Sequence, residues 1–447
     1  MGALAYVSIL LILVFSSGAY FLRRSEYRFG AALFILVAPL QVMALWAVNN
    51  QIPFVPREND AMYYYQFSLR EFHDFSDVFR VSDTAATIHD FEGVPYTHLL
   101  TVCNQFIGDS LFARKLLNLA CLWPAAFAWY WIARQMRGRR YARVVCICMT
   151  MLPTLWYFFF ILYRDLLTLC FQSTFLAAYL RLCATQRNRV AHTVVCVASF
   201  AILTWLRIQT VYFNVLLIVI VWLCLRHMIG VASLLRRNLA ILVLGGVCIA
   251  AATAVLGHSK LNPQFVAHEV LYYKGAGEIA PDTGWIERAA MMIPLFAVSE
   301  LGVGASTVKM SDPDNLSAVL NVPWSLAVAP FVLALFLALT WKSTKIVLRR
   351  LKSVLSGSGS RVRTRVRRGL DAWRRSVFHV VVAYCVLCYF VCLLTGNWTR
   401  WRLPAVPALI MLAILQYRQS STIWRVLTIA IWIFSVFIYR VAVGTLF

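Results

Sequence analysis

The sequence predicts an all-α polytopic membrane protein of about twelve spans, and three observations carry that prediction. Apolar runs of about 20 residues, the length a helix needs to cross the hydrocarbon core, recur along the whole chain. The 447 residues are 61% hydrophobic and only 14% charged, with a mean hydropathy of +0.71. Soluble domains are nearer half apolar and a quarter charged. Arg and Lys then fall in short clusters at alternate ends of the runs, which is the pattern of the positive-inside rule. A membrane β-barrel would show short alternating strands instead.

The same clusters explain the formal net charge of +23. In a soluble chain that excess would point to nucleic acid. Distributed between apolar runs, it marks loops on one membrane face, and no nucleic-acid partner is expected.

Taken in order, the first two spans cover residues 3–22 and 29–48, separated by Arg23, Arg24 and Arg28. The first run is too long for a signal-peptide core and lacks a preceding basic residue, so it reads as a retained span. Residues 49–95 form a polar, acidic loop that carries Glu58, Asp60, Glu71, Asp74, Asp77, Asp83, Asp90 and Glu92. Residues 95–108 are half-apolar and read as a helix at the interface or packed in the loop. The third span, 111–133, ends in Arg134, Arg137, Arg139, Arg140 and Arg143.

Spans four (144–162) and five (166–182) meet at Tyr163-Arg164-Asp165, and spans six (190–206) and seven (210–225) meet at Arg207-Ile208-Gln209. Span eight covers 239–256, a second polar loop runs over 258–323, and span nine covers 324–341. Residues 342–376 form the most basic loop, hinged at Ser356-Gly357-Ser358-Gly359-Ser360 and suited to anionic headgroups. Spans ten (377–394), eleven (404–416) and twelve (423–443) close the chain, which is a single integral-membrane domain over 1–447.

The twelve Cys lie mostly within the apolar runs, among them Cys146, Cys148, Cys170, Cys196, Cys385, Cys388 and Cys392. They read as small packing residues. Cys385, Cys388 and Cys392 have metal-like spacing, but no second Cys or His pair accompanies them.

Assigning the dense clusters to the cytoplasm has a consequence for chemistry. The loops 49–95 and 258–323 and the turns at Arg164-Asp165, Arg207 and Arg400-Trp401-Arg402 then share the opposite face. Asp60 is the first candidate, in Arg57-Glu58-Asn59-Asp60-Ala61-Met62-Tyr63-Tyr64-Tyr65 just past span two. A carboxylate there can act as a general base. The alternative is a solvated loop acid beside tyrosines of the interfacial aromatic belt. Asp165 is either functional, as ionisable groups between spans tend to be, or an acid at the start of a helix; the two roles are compatible. Arg207 either serves a site or snorkels to the interface. Arg400 and Arg402 flank Trp401 and either grip a phosphate through planar forks or anchor the chain in the membrane.

Three segments resemble the GT-C superfamily of integral-membrane glycosyltransferases, in particular the dolichyl-phosphate-mannose-transferase-like branch. Asn59-Asp60-Ala61-Met62-Tyr63-Tyr64 is similar to that family's Asp-Glu-x-x-Tyr stretch. Pro95-Tyr96, Phe106-Ile107-Gly108-Asp109-Ser110, Ala113-Arg114-Lys115-Leu116-Leu117-Asn118 and Ala133-Arg134-Gln135-Met136-Arg137-Gly138-Arg139 are similar to its amphipathic helix, turn, Arg-Leu-Leu span and basic end. Arg400-Trp401-Arg402-Leu403-Pro404-Ala405-Val406-Pro407 is similar to its late Arg-x-Arg-Leu-Pro-x-x-Pro element. Ala61 stands where the family has an acid, and the acidic loop follows the second span rather than the first.

The resemblance implies inverting sugar transfer from a polyprenyl phosphate or diphosphate donor to a glycan or lipid acceptor in cell-envelope synthesis. It places the enzyme in a bacterial inner membrane, with the site facing the periplasm or exterior. Asp60 would take the proton of the acceptor hydroxyl, and Asp165 would orient the acceptor or support Asp60. Arg57, Tyr63, Tyr64, Arg164, Arg207, Arg400 and Arg402 would bind substrate, with arginines on the departing phosphate. No metal is demanded, although the acids leave room for a divalent one. The related polymerases of lipid-linked oligosaccharide repeats fit the same features. A flippase or transporter would show repeated halves and broken or charged helices at the midplane; no internal repeat is visible, and the charges sit at span ends.

Overall fold

The computed structural model describes residues 2–51, 96–97, 99–100, 103, 110–160, 164–184, 188–207, 210–225, 370–395 and 403–446, together with a few isolated helical positions between 239 and 334. Among these residues the structure is helical and contains no strand. The helices are α1 (Gly2–Phe21), α2 (Tyr27–Gln51), α3 (Leu111–Arg137), α4 (Arg139–Met151), α5 (Pro153–Phe160), α6 (Asp165–Ala184), α7 (Arg189–Leu206), α8 (Thr210–Leu225), α9 (Leu370–Thr395), α10 (Val406–Gln419) and α11 (Thr422–Leu446). Among the described residues, five stretches are long and apolar enough to cross a membrane: Arg24–Asn50, Leu111–Arg137, Asp165–Ala184, Arg189–Leu206 and Asp371–Val391. The chain is thus an all-α membrane protein. Span eight, span nine and both long polar loops lie almost wholly outside the described residues.

The bundle is built around α3. This helix is apolar on all sides, which suits a central position, and its Trp123, Trp129, Tyr130 and Phe127 are buried. α1, α4 and α6 pack along it, and α7 in turn packs along α6. Interhelical polar bonds fix the register. Trp129 Nε1 donates to Ser173 Oγ of α6 at 2.9 Å, and Gln172 Nε2 donates to Asn214 Oδ1 of α8 at 2.7 Å. A donor or acceptor left unmet in an apolar interior is costly, so such pairs specify which helix faces meet. Tyr96, Leu100 and Cys103, spaced as one helical face, are also buried, and Tyr96 OH donates to Asn118 Oδ1 of α3 at 3.2 Å. The 95–108 segment is thereby packed on the bundle at these positions.

One end of the bundle gathers the basic residues. Glu26, fully buried in the α1–α2 turn, lies 2.8 Å from Arg134 and 3.4 Å from Arg139. The turn between α3 and α4 is a single residue, Gly138, at φ +87 where an L side chain would be strained. Arg181 near the end of α6 stacks over Tyr20, Phe21 and Trp131, and the Tyr20 hydroxyl bonds His192 of α7 at 2.8 Å. Trp373 of α9 reaches Gln135 at 3.3 Å. These contacts bring Arg23, Arg24, Arg28, Arg134, Arg137, Arg139, Arg140, Arg181 and Arg189 to one end, as the alternating clusters predict.

Span four differs from its sequence reading as one continuous helix. It is broken into α4 and α5 at Leu152, whose backbone is extended at φ −74, ψ 115. Pro153 is the cause: it supplies no N–H and pushes the preceding residue out of the helical region. The Thr150 carbonyl released by the break accepts from Gln41 Nε2 of α2 at 2.7 Å and from Trp156 Nε1 at 2.8 Å. Two side chains thus replace the lost backbone donor, as a broken helix in an apolar medium requires.

Candidate functional site

At the end of the bundle away from the arginine clusters, α6 begins, α7 ends and α8 begins. Arg207 terminates α7 in an extended conformation (φ −151, ψ 104), with its N–H still bonded to the Leu203 carbonyl. Its own carbonyl accepts from the Thr210 N–H at 3.0 Å and from the Thr210 hydroxyl at 2.6 Å. Thr168 does the same for Arg164 one helix away, its N–H and hydroxyl reaching the Arg164 carbonyl at 3.0 and 3.2 Å. Each arginine is therefore held at its backbone by a threonine three or four residues on.

The side chains converge from these anchors. Arg207 Nη2 lies 3.2 Å from Asp165 Oδ1, with the two side chains 4% and 2% exposed. Arg164 is equally buried, and its Nη1 reaches the Leu206 carbonyl at 3.4 Å. Asp165 opens α6, where a negative charge meets the positive end of the helix dipole. The cluster holds two guanidinium groups against one carboxylate. All three groups are buried, where charge interactions are strong.

A cavity adjoins the ion pair. Asp165, Thr168, Gln172, Arg207 and Thr210 form its polar wall. Phe213, Cys388, Val391 and Pro404 complete its lining. Its volume among the described residues is about 20 Å³, room for one water and not for a sugar. Neither carboxylate oxygen of Asp165 accepts an aligned hydrogen bond from the described residues. The arrangement can therefore accept a proton or hydrogen bond at Asp165, beside two buried guanidinium groups.

Three of the predicted site residues, Arg164, Asp165 and Arg207, come together here. Asp60, Arg57, Tyr63, Tyr64, Arg400 and Arg402 lie outside the described residues. The segment that follows Arg402 enters the site: Leu403 is buried, and Pro404 lines the cavity. Snorkelling is ruled out for Arg207, because its guanidinium turns inward to a carboxylate. Among the described residues the Asp165 side chain makes no hydrogen bond that would cap its helix.

The sequence reading missed Thr168, Gln172, Thr210 and Asn214. A signal for the first two was present: Asp165, Thr168 and Gln172 follow the i, i+3, i+7 spacing of one helical face in an otherwise apolar span. Among the described residues no group of three His, Cys, Asp or Glu side chains converges as a metal site would require. No family profile, curated protein or solved structure matches the chain.

Proposed function

We propose that the chain is an integral-membrane glycosyltransferase that moves a sugar from a polyprenyl phosphate or diphosphate to a glycan or lipid acceptor. The site lies on the membrane face opposite the arginine clusters. The observation that carries this reading is the buried Arg164–Asp165–Arg207 cluster beside a cavity that Pro404, just after Arg400-Trp401-Arg402, also lines.

In the proposed reaction the acceptor hydroxyl attacks the anomeric carbon and Asp60 takes its proton. The bond between the anomeric carbon and the phosphate oxygen breaks, and its electron pair leaves with the phosphate. Arg207, Arg164, Arg400 and Arg402 stabilise that growing charge, an effect that a water-poor site amplifies. Asp165 acts here as a positioning residue that holds Arg207. A phosphate needs fixed donors, and a guanidinium clamped by a carboxylate pays less entropy when it binds. The deciding experiment is Asp60→Asn in a reconstituted assay with a polyprenyl-phosphate sugar. Asn keeps the size of the side chain but cannot take a proton. Transfer should fall about a hundred- to ten-thousand-fold with donor binding intact; a near wild-type rate refutes the base.

One observation favours a second reading, a lipid-sugar flippase: the break at Leu152-Pro153. It lies roughly 18 Å along α4 from the basic end, at 1.5 Å per residue, which is near the midplane. Donor movement between leaflets without sugar release would select it.

A further inference from the structure

The cytoplasmic half of the α1–α2 hairpin holds an apolar groove that the proposed function does not use. α1 lies along α3, whereas α2 touches α1 at few points. The wedge between them is lined by Val14, Gly18 and Leu22 of α1 and by Gly30 and Phe34 of α2, with Phe127 of α3 as its floor. It encloses about 370 Å³, within the range of small-ligand sites. Its rims are open to the bilayer, since Phe15 and Ile35 are 65% and 68% exposed. Gly18 leaves space beside it: a Cβ there would meet only Phe127 and Leu22, at 3.8 and 4.0 Å.

The groove ends at a cationic mouth. Tyr27 closes its basic end and is itself exposed at the level of an interfacial belt. Arg28 follows Tyr27 and lies on the same helical face as the lining residues Ala31 and Ile35, three and seven positions on. Arg23 and Arg24 are exposed in the adjoining turn. The acid of this turn, Glu26, is buried and already engaged by Arg134 and Arg139. No carboxylate among the described residues pairs with Arg24 or Arg28. An apolar channel that leads to uncompensated arginines at headgroup depth matches one chemistry.

We propose that this groove binds a single anionic phospholipid of the leaflet at the basic end, with one acyl chain between α1 and α2 over Phe127 and the phosphate on Arg24 and Arg28. The lipid fills the wedge that α2 leaves open and ties the hairpin to the bundle. The site is independent of the sugar-transfer reading, which concerns the opposite end.

The test uses the full chain, delipidated in detergent and titrated with dioleoyl phosphatidylglycerol or dioleoyl phosphatidylcholine. Bound lipids are counted by native mass spectrometry. The wild type should retain one phosphatidylglycerol well below the concentration at which it retains phosphatidylcholine. Each arginine should contribute about fivefold to that preference, so Arg24→Gln/Arg28→Gln should lower it about 25-fold without changing the fold. Gly18→Leu fills the groove and should abolish retention of the single lipid. Equal retention of both lipids by the wild type overturns the proposal. So does unchanged preference in the double arginine variant, or a dimer that forms without lipid and covers the groove. If Gly18→Leu does not fold, the arginine variant decides alone.

Discussion

Removing either partner of the Asp165–Arg207 pair should cost far more than removing both. The two side chains are 2% and 4% exposed and lie 3.2 Å apart. Asp165→Asn leaves the Arg207 charge buried with that carboxylate gone. Arg207→Met leaves the Asp165 carboxylate buried without its ion-pair partner. Breaking a buried pair from one side costs about 3–5 kcal/mol, whereas exchanging both charges for neutral groups is often neutral. Asp165→Asn/Arg207→Met should therefore recover most of the stability that either single variant loses. The assay is equilibrium unfolding in mixed detergent micelles, run as a double-mutant cycle. Sugar transfer measured on the same four proteins separates structure from function. If the pair serves catalysis, the double variant regains stability but not transfer. Recovery of both would make the pair a structural clamp alone. A double variant no more stable than the worse single variant would refute the buried-pair argument itself.

Two further outcomes test the site and the topology. Arg400→Lys and Arg402→Lys keep the charge but lose the planar fork, so each should weaken binding of the isolated polyprenyl-phosphate donor in a protein that still folds; unchanged binding in both returns these residues to membrane anchoring. A cysteine placed at Ser358, in the basic 342–376 loop, should react with an impermeant reagent only from the cytoplasmic side, and labelling only from the opposite side would collapse the site assignment.

The fold was legible where the sequence carries strong local physics. Spans six and seven were predicted at 190–206 and 210–225, and α7 and α8 cover Arg189–Leu206 and Thr210–Leu225, because Arg207 interrupts the apolar run. Pro153 was equally visible, but hydropathy averages over a window and passes across a one-residue break. The replacement donors, Gln41 and Trp156, could not have been assigned without tertiary contact, since Gln41 lies 109 residues from Thr150. The Arg207–Asp165 pairing has the same character. Each residue stood out alone as a charge between spans, but the partnership depends on α6, α7 and α8 ending at one level.

Burial of an acid does not by itself mark a site, and Glu26 makes the comparison. It is as deeply buried as Asp165 and also lies against two arginines. One of its oxygens, Oε2, accepts from the Arg23 N–H at 3.1 Å and from Arg134 at 2.8 Å. It therefore ties the α1–α2 turn to the α3–α4 turn, which is a structural task. Asp165 has one arginine at 3.2 Å, no aligned donor among the described residues, and a cavity in front of it. Leaving acceptor capacity unfilled beside a void costs stability, and folds keep such arrangements where a ligand or reaction uses them. The two ends of the bundle thus use the same residue types differently. At the basic end Glu26 pairs with Arg134 and Arg139 and ties two turns together, while Arg24 and Arg28 are exposed. At the other end Asp165 keeps acceptor capacity open beside a cavity, next to two buried arginines.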